Sequence, residues 1–379
     1  MSTTVTHDAE SSNGPLFVSL ELSNSKWKVG SGLSLGQKPR EVNIPAGDLG
    51  RLDREIAAAK RRFGLVADAP VLSCYEAGRD GFWLHRHLEE IRGVGNVVID
   101  PASVSVNRRA RRAKTDSLDV RKLFKHLIRF QDDPKEWSVV RVPSVEEEDR
   151  RHVQRELEAL KGEKTRHSNR IQSLLVLHGI RRSVNRKFLQ RLSDLRLPNG
   201  SPLPQHLKAR LQREFARWSL VVEQIEELKK QRREALREAQ DPVAEKARRL
   251  MRLRGIGEHG GWQLSSELFS WRHFENRRQL GSFAGLTPTP HQSGGPGREQ
   301  GIDKAGNAWI RPTLIQLAWG WLRFQPNSQL SRWFEERFGQ GTRRARRVGI
   351  VAVARKLLIA LWHFVEHGVV PEGATLKAQ

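Results

Sequence analysis

The sequence predicts an α/β domain followed by a long, mostly helical region. Three observations carry that reading. Up to residue 143, short β-rich runs alternate with amphipathic stretches. Two long charged segments follow, with apolar residues at alternating steps of three and four. Near residue 255 a Gly-Ile-Gly turn separates two further helical stretches.

The elements justify this in order. Residues 1–14 are polar and read as disordered, with no signal peptide. LFVSLEL (16–22), KWKVGSGL after the polar break Ser23-Asn24-Ser25, and EVNIP after a Gly/Pro-containing break read as three strands of an antiparallel meander. GDLGRLDREIAAAKRRFG sets Leu49, Leu52, Ile56 and Ala59 at helical spacing. PVLSCYEA reads as a buried strand, GFWLHRHLEEIR as a helix ending near Gly93, and NVVID as a further buried strand closed by Pro101. TDSLDVRKLFKHLIRF reads as a helix with Thr115 at its N-cap. The order β-β-β-α-β-α-β-α indicates a sheet with helices on its faces. It is also the order of the RNase H-like fold, an analogy that by itself says little about function.

Residues 144–180 form a long charged helical stretch with Val153, Leu157, Leu160, Ile171, Leu174 and Leu175 on one side. A linker with Pro198, Gly200, Pro202 and Pro204 precedes a second stretch, 205–239, carrying Leu207, Leu211, Phe215, Trp218, Val222, Ile225 and Leu228. Such a seam suits either an antiparallel hairpin within one chain or an oligomerisation arm. RRLMRLRGIGEHGGWQLSSEL is a helix-hairpin-helix pattern, whose turn amides suit a phosphate or simply cap one helix against the next. The apolar stretch 348–365 holds Arg355 and Lys356 in its middle and reads as a buried or amphipathic helix, not a membrane span.

Charge narrows the function. Lys plus Arg is 66 and Asp plus Glu is 43, a formal net charge of +23 spread along the chain. Phosphate contacts that release counterions are the first use for such a surplus, so nucleic acid is the expected partner and a membrane is not. The single cysteine, Cys74, excludes an intrachain disulfide and any cysteine-based metal site, and fits a reducing cytosol.

Four acids stand out by position. Glu21 ends the first strand and Glu76 the fourth; Asp116 and Asp119 lie three apart at the start of the next helix, on one face of it. In an RNase H-like sheet the first and fourth strands are neighbours and the late helix packs beside them, so the four carboxylates converge. Gathered acids repel unless a cation neutralises them, and Mg2+ or Mn2+ takes oxygen ligands of this kind. Taken singly, each acid has a plainer role: Asp116 after Thr115 suits a helix cap. The run VNRRARRAK (106–114), with Arg108, Arg109, Arg111, Arg112 and Lys114, would track a phosphate backbone beside such a site.

Three segments carry a family resemblance: RRARRAKTDSLDVRKL, CYEAGRDGFWLHRHL, and AGLTPTPHQSGGPGREQGIDKAGNAWIRPTLIQLAW. Together they resemble the DEDD transposases of the "IS one-ten" insertion-sequence family, relatives of the Piv-type DNA invertases, over about residues 15–330. The resemblance implies a RuvC-like catalytic domain at 15–143, a coiled-coil oligomerisation segment at 144–242, and a C-terminal transposase domain with a catalytic serine at 243–379. It also implies a homo-oligomer, dimer or tetramer, guided by a structured bridge RNA that pairs with donor and target DNA. The family's second acid matches Glu76 and its last two match Asp116 and Asp119. Its first is usually Asp, where this chain has Glu21, one methylene longer. The serine matches Ser293 in TPHQSGGPG; a hydroxyl needs a base, metal or positive field to become a nucleophile. Lys304, Asn307 and Arg311 in GIDKAGNAWIR are placed to hold a phosphate nearby.

The reading is therefore a metal-dependent, RNA-guided DNA recombinase of a bacterial cytoplasm, associated with the nucleoid. Two alternatives stay open: a structure-specific nuclease that uses the acids and water, and a non-catalytic RNA- or DNA-binding protein derived from a recombinase.

Overall fold

The computed structural model describes residues 14–78, 80–103, 116–134, 137–238, 240–291, 298–302 and 306–378. The chain divides into two compact units, 1–143 and 144–379.

The first unit is built on a five-stranded sheet. Its strands are β1 (Leu16–Glu21), β2 (Lys26–Gly32), β3 (Arg40–Pro45), β4 (Val71–Glu76) and β5 (Gly95–Ile99), in the spatial order β3-β2-β1-β4-β5. The first three form the expected antiparallel meander, while β1–β4 and β4–β5 are parallel. Helix α1 (Leu49–Arg62) begins at Asp48, whose side chain accepts from the Arg51 N–H at 2.8 Å, and ends on Lys60, Arg61 and Arg62, which suit the negative end of its dipole. The stretch read as one helix up to Gly93 is α2 (Trp83–Arg86) continued by a π-helical turn, His87–Ile91. Helix α3 spans Asp116–Asp132.

Strand alternation sorts the core into two layers. Leu16, Val18 and Leu20 of β1 face one cluster with Leu52 and Ala59 of α1. Phe17 faces the other, with Cys74, Ile99, and Leu123, Phe124 and Leu127 of α3. Helix α3 sits unusually close to the sheet. The Ser19 hydroxyl donates to the Val120 carbonyl at 3.0 Å, and a Cβ on Gly30 would overlap Val120 Cγ1 and come within 2.8 Å of Ser19 Oγ. Gly30→Ala is therefore expected to push α3 away and cost about 1–3 kcal/mol, as overpacked cores do. Urea unfolding of the Gly30→Ala chain measures this, and unchanged stability would show that α3 docks loosely.

The second unit is almost wholly helical. α4 (Val145–Asp149) starts with a capping box between Ser144 and Glu147. The long helix expected from 144 to 180 is broken after α4, where Arg151 is buried with its guanidinium 4.6 Å from the Trp271 ring centroid. It resumes as α5 (His152–Val176), followed by α6 (Phe188–Leu192) and α7 (Gln205–Ala235). Helices α5 and α7 pack as an antiparallel hairpin. Leu157 and Leu160 meet Val221, Ile225 and Leu228 at one end; Ile171 and Leu175 meet Leu211, Phe215 and Trp218 at the other. Between them, buried Glu214 is paired with His167 at 2.7 Å and Arg170 at 2.8 Å. Burial pushes this carboxyl up, but the hydrogen bond from His167 and the charge of Arg170 outweigh it and hold it below the usual carboxylate range.

The rest of the unit comprises α8 (Pro242–Met251), α9 (Glu258–Leu264) with a π-helical turn Ser265–Phe269, and α10 (Arg277–Phe283). The hairpin β6 (Pro288–His291) and β7 (Arg298–Ile302) comes next, a pair of strands the sequence did not signal. Then come α11 (Ile310–Phe324), α12 (Gln329–Phe334) with the π-helical turn Glu335–Gly339, and α13 (Arg343–His367). The Gly-Ile-Gly turn joins α8 to α9 as expected. α13 is the one described helix long and apolar enough to cross a membrane, yet half of that stretch is buried in the protein. Its Ile350, Val353, Leu357, Leu361 and Phe364 pack against Leu314 and Trp321 of α11 in the largest core cluster.

Candidate active site

Two of the four predicted acids meet at one edge of the sheet. Glu21 is the last residue of β1 and Glu76 the last of β4. The parallel register runs from Leu16 opposite Val71 to Leu20 opposite Tyr75, so the next step sets Glu21 opposite Glu76. Alternation puts Glu21 on the same face as Ser19, which bonds α3, and Glu76 on the same face as Cys74, whose thiol lies 3.8 Å from the Leu123 carbonyl oxygen. Complete burial pushes the Cys74 thiol well up, and the Glu76 carboxylate adds to this. Both acids open on a cleft of 470 Å³, whose walls also include Ser23, Asn24 and Asp80.

The first turn of α3 is tied to the same edge. Lys28 is the cross-strand partner of Glu21, and its ammonium donates to the Ser117 hydroxyl at 2.8 Å. Glu41 on β3 accepts from Arg121 and lies 3.9 Å from Lys28. Burial pushes the Glu41 carboxyl up, but the hydrogen bonds from Arg121 and Ser117 and the nearby cations prevail and hold it below its ordinary range. This network fixes the end of α3 that carries the other two acids. Asp116 is the first residue of the helix, and its carboxylate lies outside the described residues. Asp119 is half-buried in the first turn and is not among the walls of the cleft. Among the described residues, no three His, Cys, Asp or Glu side chains stand close enough to hold a metal ion.

Asp80 was not singled out from the sequence. It follows β4 in the chain, and only the fold shows that Asp80 lines the same cleft as Glu21 at the end of β1. Its proximity to Glu76 in the chain was the one available signal.

In the second unit, Ser293 lies outside the described residues, as do Lys304, Arg108, Arg109, Arg111, Arg112 and Lys114. Ser293 falls between β6 and β7, whose paired ends His291 and Arg298 bracket it. The base of that hairpin is pinned by backbone. The Asn307 N–H donates to the Phe283 carbonyl at 2.7 Å, and a Cβ on Gly306 would overlap the Gly285 backbone. The Asn307 side chain is engaged at the start of α11, where its oxygen accepts from the Trp309 N–H at 2.8 Å. Arg311 is half-buried one turn further on, with an interaction of its own.

A protein of Sinorhizobium fredii (strain NBRC 101917 / NGR234), "Putative transposase y4rJ", is 44% identical to the chain over 379 residues, covering 96% of this chain and 95% of its own length. Residues 247–332 match the family model described as the transposase IS116/IS110/IS902 family. The chain belongs to that transposase family. A transposase for insertion sequence element IS1328 of Yersinia enterocolitica is 29% identical over 216 residues, 56% of this chain and 61% of its own. A Pseudomonas aeruginosa protein, "Probable family 20 transposase", is 33% identical over 116 residues, 30% of this chain and 33% of its own. The family match runs from α8 through the Gly-Ile-Gly turn and the β6–β7 hairpin into α12. This transposase is thus an enzyme of DNA strand breakage and rejoining, and its overall positive charge suits that substrate.

Proposed function

We propose that this transposase mobilises an insertion sequence with two sets of reacting groups, carboxylates on the first unit and a serine nucleophile on the second. One observation carries the proposal: Glu21 and Glu76 end adjacent parallel strands on one face of the sheet and open on a common cleft. The strand order β3-β2-β1-β4-β5, with a helix laid across β1, supports an RNase H-like reading of the first unit, in which that strand end is the chemical one.

Among the described residues this lining offers the carboxylate, hydroxyl and amide oxygens of Glu21, Glu76, Asp80, Ser23 and Asn24, which suit a hard divalent cation such as Mg2+ or Mn2+. In this reading Glu21, Glu76, Asp116 and Asp119 would hold it. When bound, the cation would supply Lewis-acid polarisation of a phosphodiester. The chain's own residues do the rest. Lys28 and Arg121 keep the start of α3 against the sheet, and neutralise Glu41 beside it. Ser293 attacks phosphorus and breaks one strand's P–O bond, the freed strand oxygen leaving as a hydroxyl with the proton the serine gives up; the serine–phosphate ester keeps the bond energy until a strand hydroxyl attacks it and releases the serine, so no nucleotide cofactor is consumed. Arg108, Arg109, Arg111, Arg112, Lys114, Lys304 and Arg311 position phosphates and do not choose sequence. A structured guide RNA does the choosing, and a homo-oligomer brings two sites together.

The test is a supercoiled plasmid carrying the transposase gene with its native flanks, incubated with purified protein and its copurified RNA. Excision is expected with Mg2+ or Mn2+ and is expected to stop on chelation or RNase treatment. Excision that survives EDTA rejects the carboxylate site; excision that survives RNase rejects the guide.

A further inference from the structure

We infer that a groove along α13 is a docking site for an unpaired DNA strand. The groove encloses 880 Å³ and lies wholly within the second unit. One wall is a single stripe of α13, Arg344, Arg347, Val348, Val351, Ala352, Arg355, Lys356 and Ile359, repeating at steps of three and four. From Arg344 to Ile359 that is fifteen steps at 1.5 Å, about 22 Å of wall. The opposite wall brings Arg277 and Arg278 from α10, Leu286 from just before β6, and Ile302 from the end of β7. Trp333 closes one end, with the Lys356 ammonium 4.7 Å from its ring centroid.

The apolar character of α13 is thereby divided. Ile350, Val353, Leu357 and Leu361 face the core, while Val348, Val351 and Ile359 line the groove, and Val348 is 60% exposed. Six cations share this lining, and among the described residues no carboxylate is paired with any of them. A polyanion is the complementary occupant. The apolar floor argues for a single strand. A duplex keeps its base faces stacked on one another, whereas an unpaired strand offers base faces to Trp333 and the aliphatic side chains and phosphates to the arginines. DNA is the strand that the transposase reading supplies, since breaking and rejoining DNA is the chemistry of the family. The inference rests on the transposase reading and gives it a place for a displaced strand next to the serine-bearing hairpin.

The chain's own chemistry supplies a clean probe. Its single cysteine, Cys74, is buried, so Val348→Cys puts one reactive thiol in the groove at an exposed position. Maleimide labelling of the full-length variant is followed with oligo-dT, its dA·dT duplex or oligo-rU present, and DNA binding is measured in parallel by fluorescence anisotropy. At oligo-dT ten times its dissociation constant, about one site in eleven is open, so labelling is expected to slow about tenfold. Duplex and RNA are expected to protect much less. Arg347→Ala with Arg355→Ala is expected to shallow the salt dependence of oligo-dT binding by a log–log slope of about 1.4, since two phosphate contacts are lost. Unchanged labelling while the protein binds oligo-dT overturns the groove and leaves the transposase reading intact. Equal or better protection by duplex or RNA overturns the choice of strand. Protection that grows with protein concentration alone assigns the groove to a second copy of the chain and overturns the inference. Absence of any DNA binding overturns both readings.

Discussion

Ser293→Ala is expected to lose strand cleavage and strand exchange together, by about 10³-fold or more, while binding DNA as well as the unaltered chain. The reason is chemical. In the proposed route the serine oxygen becomes one of the bonds to phosphorus, so no other group replaces it once it is gone. In the chain Ser293 falls between the paired ends of β6 and β7, and the hairpin base is held by the contact between the Asn307 N–H and the Phe283 carbonyl. The substitution removes one hydroxyl and alters none of these backbone pairings. A labelled-DNA assay on a denaturing gel reads the outcome directly: the unaltered protein gives a protein-linked band that is missing for Ser293→Ala. Normal cutting by Ser293→Ala, with no adduct from the unaltered chain, would transfer the chemistry to water and make the protein a nuclease.

Glu76→Gln and Asp119→Asn are expected to cut excision by about 100-fold or more each, since even residues that merely orient a metal's ligands cost 10- to 100-fold when lost. Each swap removes charge and keeps shape, so melting is expected within about 3 °C of the unaltered chain. The divalent-metal concentration needed for half-maximal excision is expected to rise in both variants. Glu21→Asp is the informative companion. It restores the residue usual in the resembling family and is expected to remain active, because the carboxylate is kept and only its stem is shortened. Asp80→Asn tests whether the wall of the cleft that the fold added also takes part. If Asp119→Asn excises DNA at the normal rate, α3 holds that acid for a structural purpose and the four-acid site is wrong.

Much of the first unit was legible in the sequence because its signals are local. The short apolar, β-rich runs LFVSLE and VLSCYE, and the 3.6 spacing of Leu52, Ile56 and Ala59, name strand and helix without reference to anything distant. Glu21 and Glu76 drew notice because each ends such a run. The π-helical turn at His87–Ile91 was not legible, since it repeats the composition of an ordinary helix. The β6–β7 hairpin was missed for a clearer reason. Pro288 and Pro290 argue against a strand, and the pairing is set by partners seven to fourteen residues apart. The two long helices were plain, but their seam read equally as a hairpin or an oligomerisation arm. Burial of Leu157 and Leu160 against Val221 and Ile225 within the chain favours the hairpin for that surface.

The sequence by itself determined the strand and helix types of the sheet domain, the positive charge and the family. Each depends on residue order and composition alone. Only the tertiary structure decided which groups share a site. It set Glu21 opposite Glu76, since register between strands separated by 50 residues is a property of the folded sheet. It brought Asp80 to the same cleft. It also split the apolar surface of α13 between a core and a cationic groove, because which face of a helix is covered depends on what packs against it.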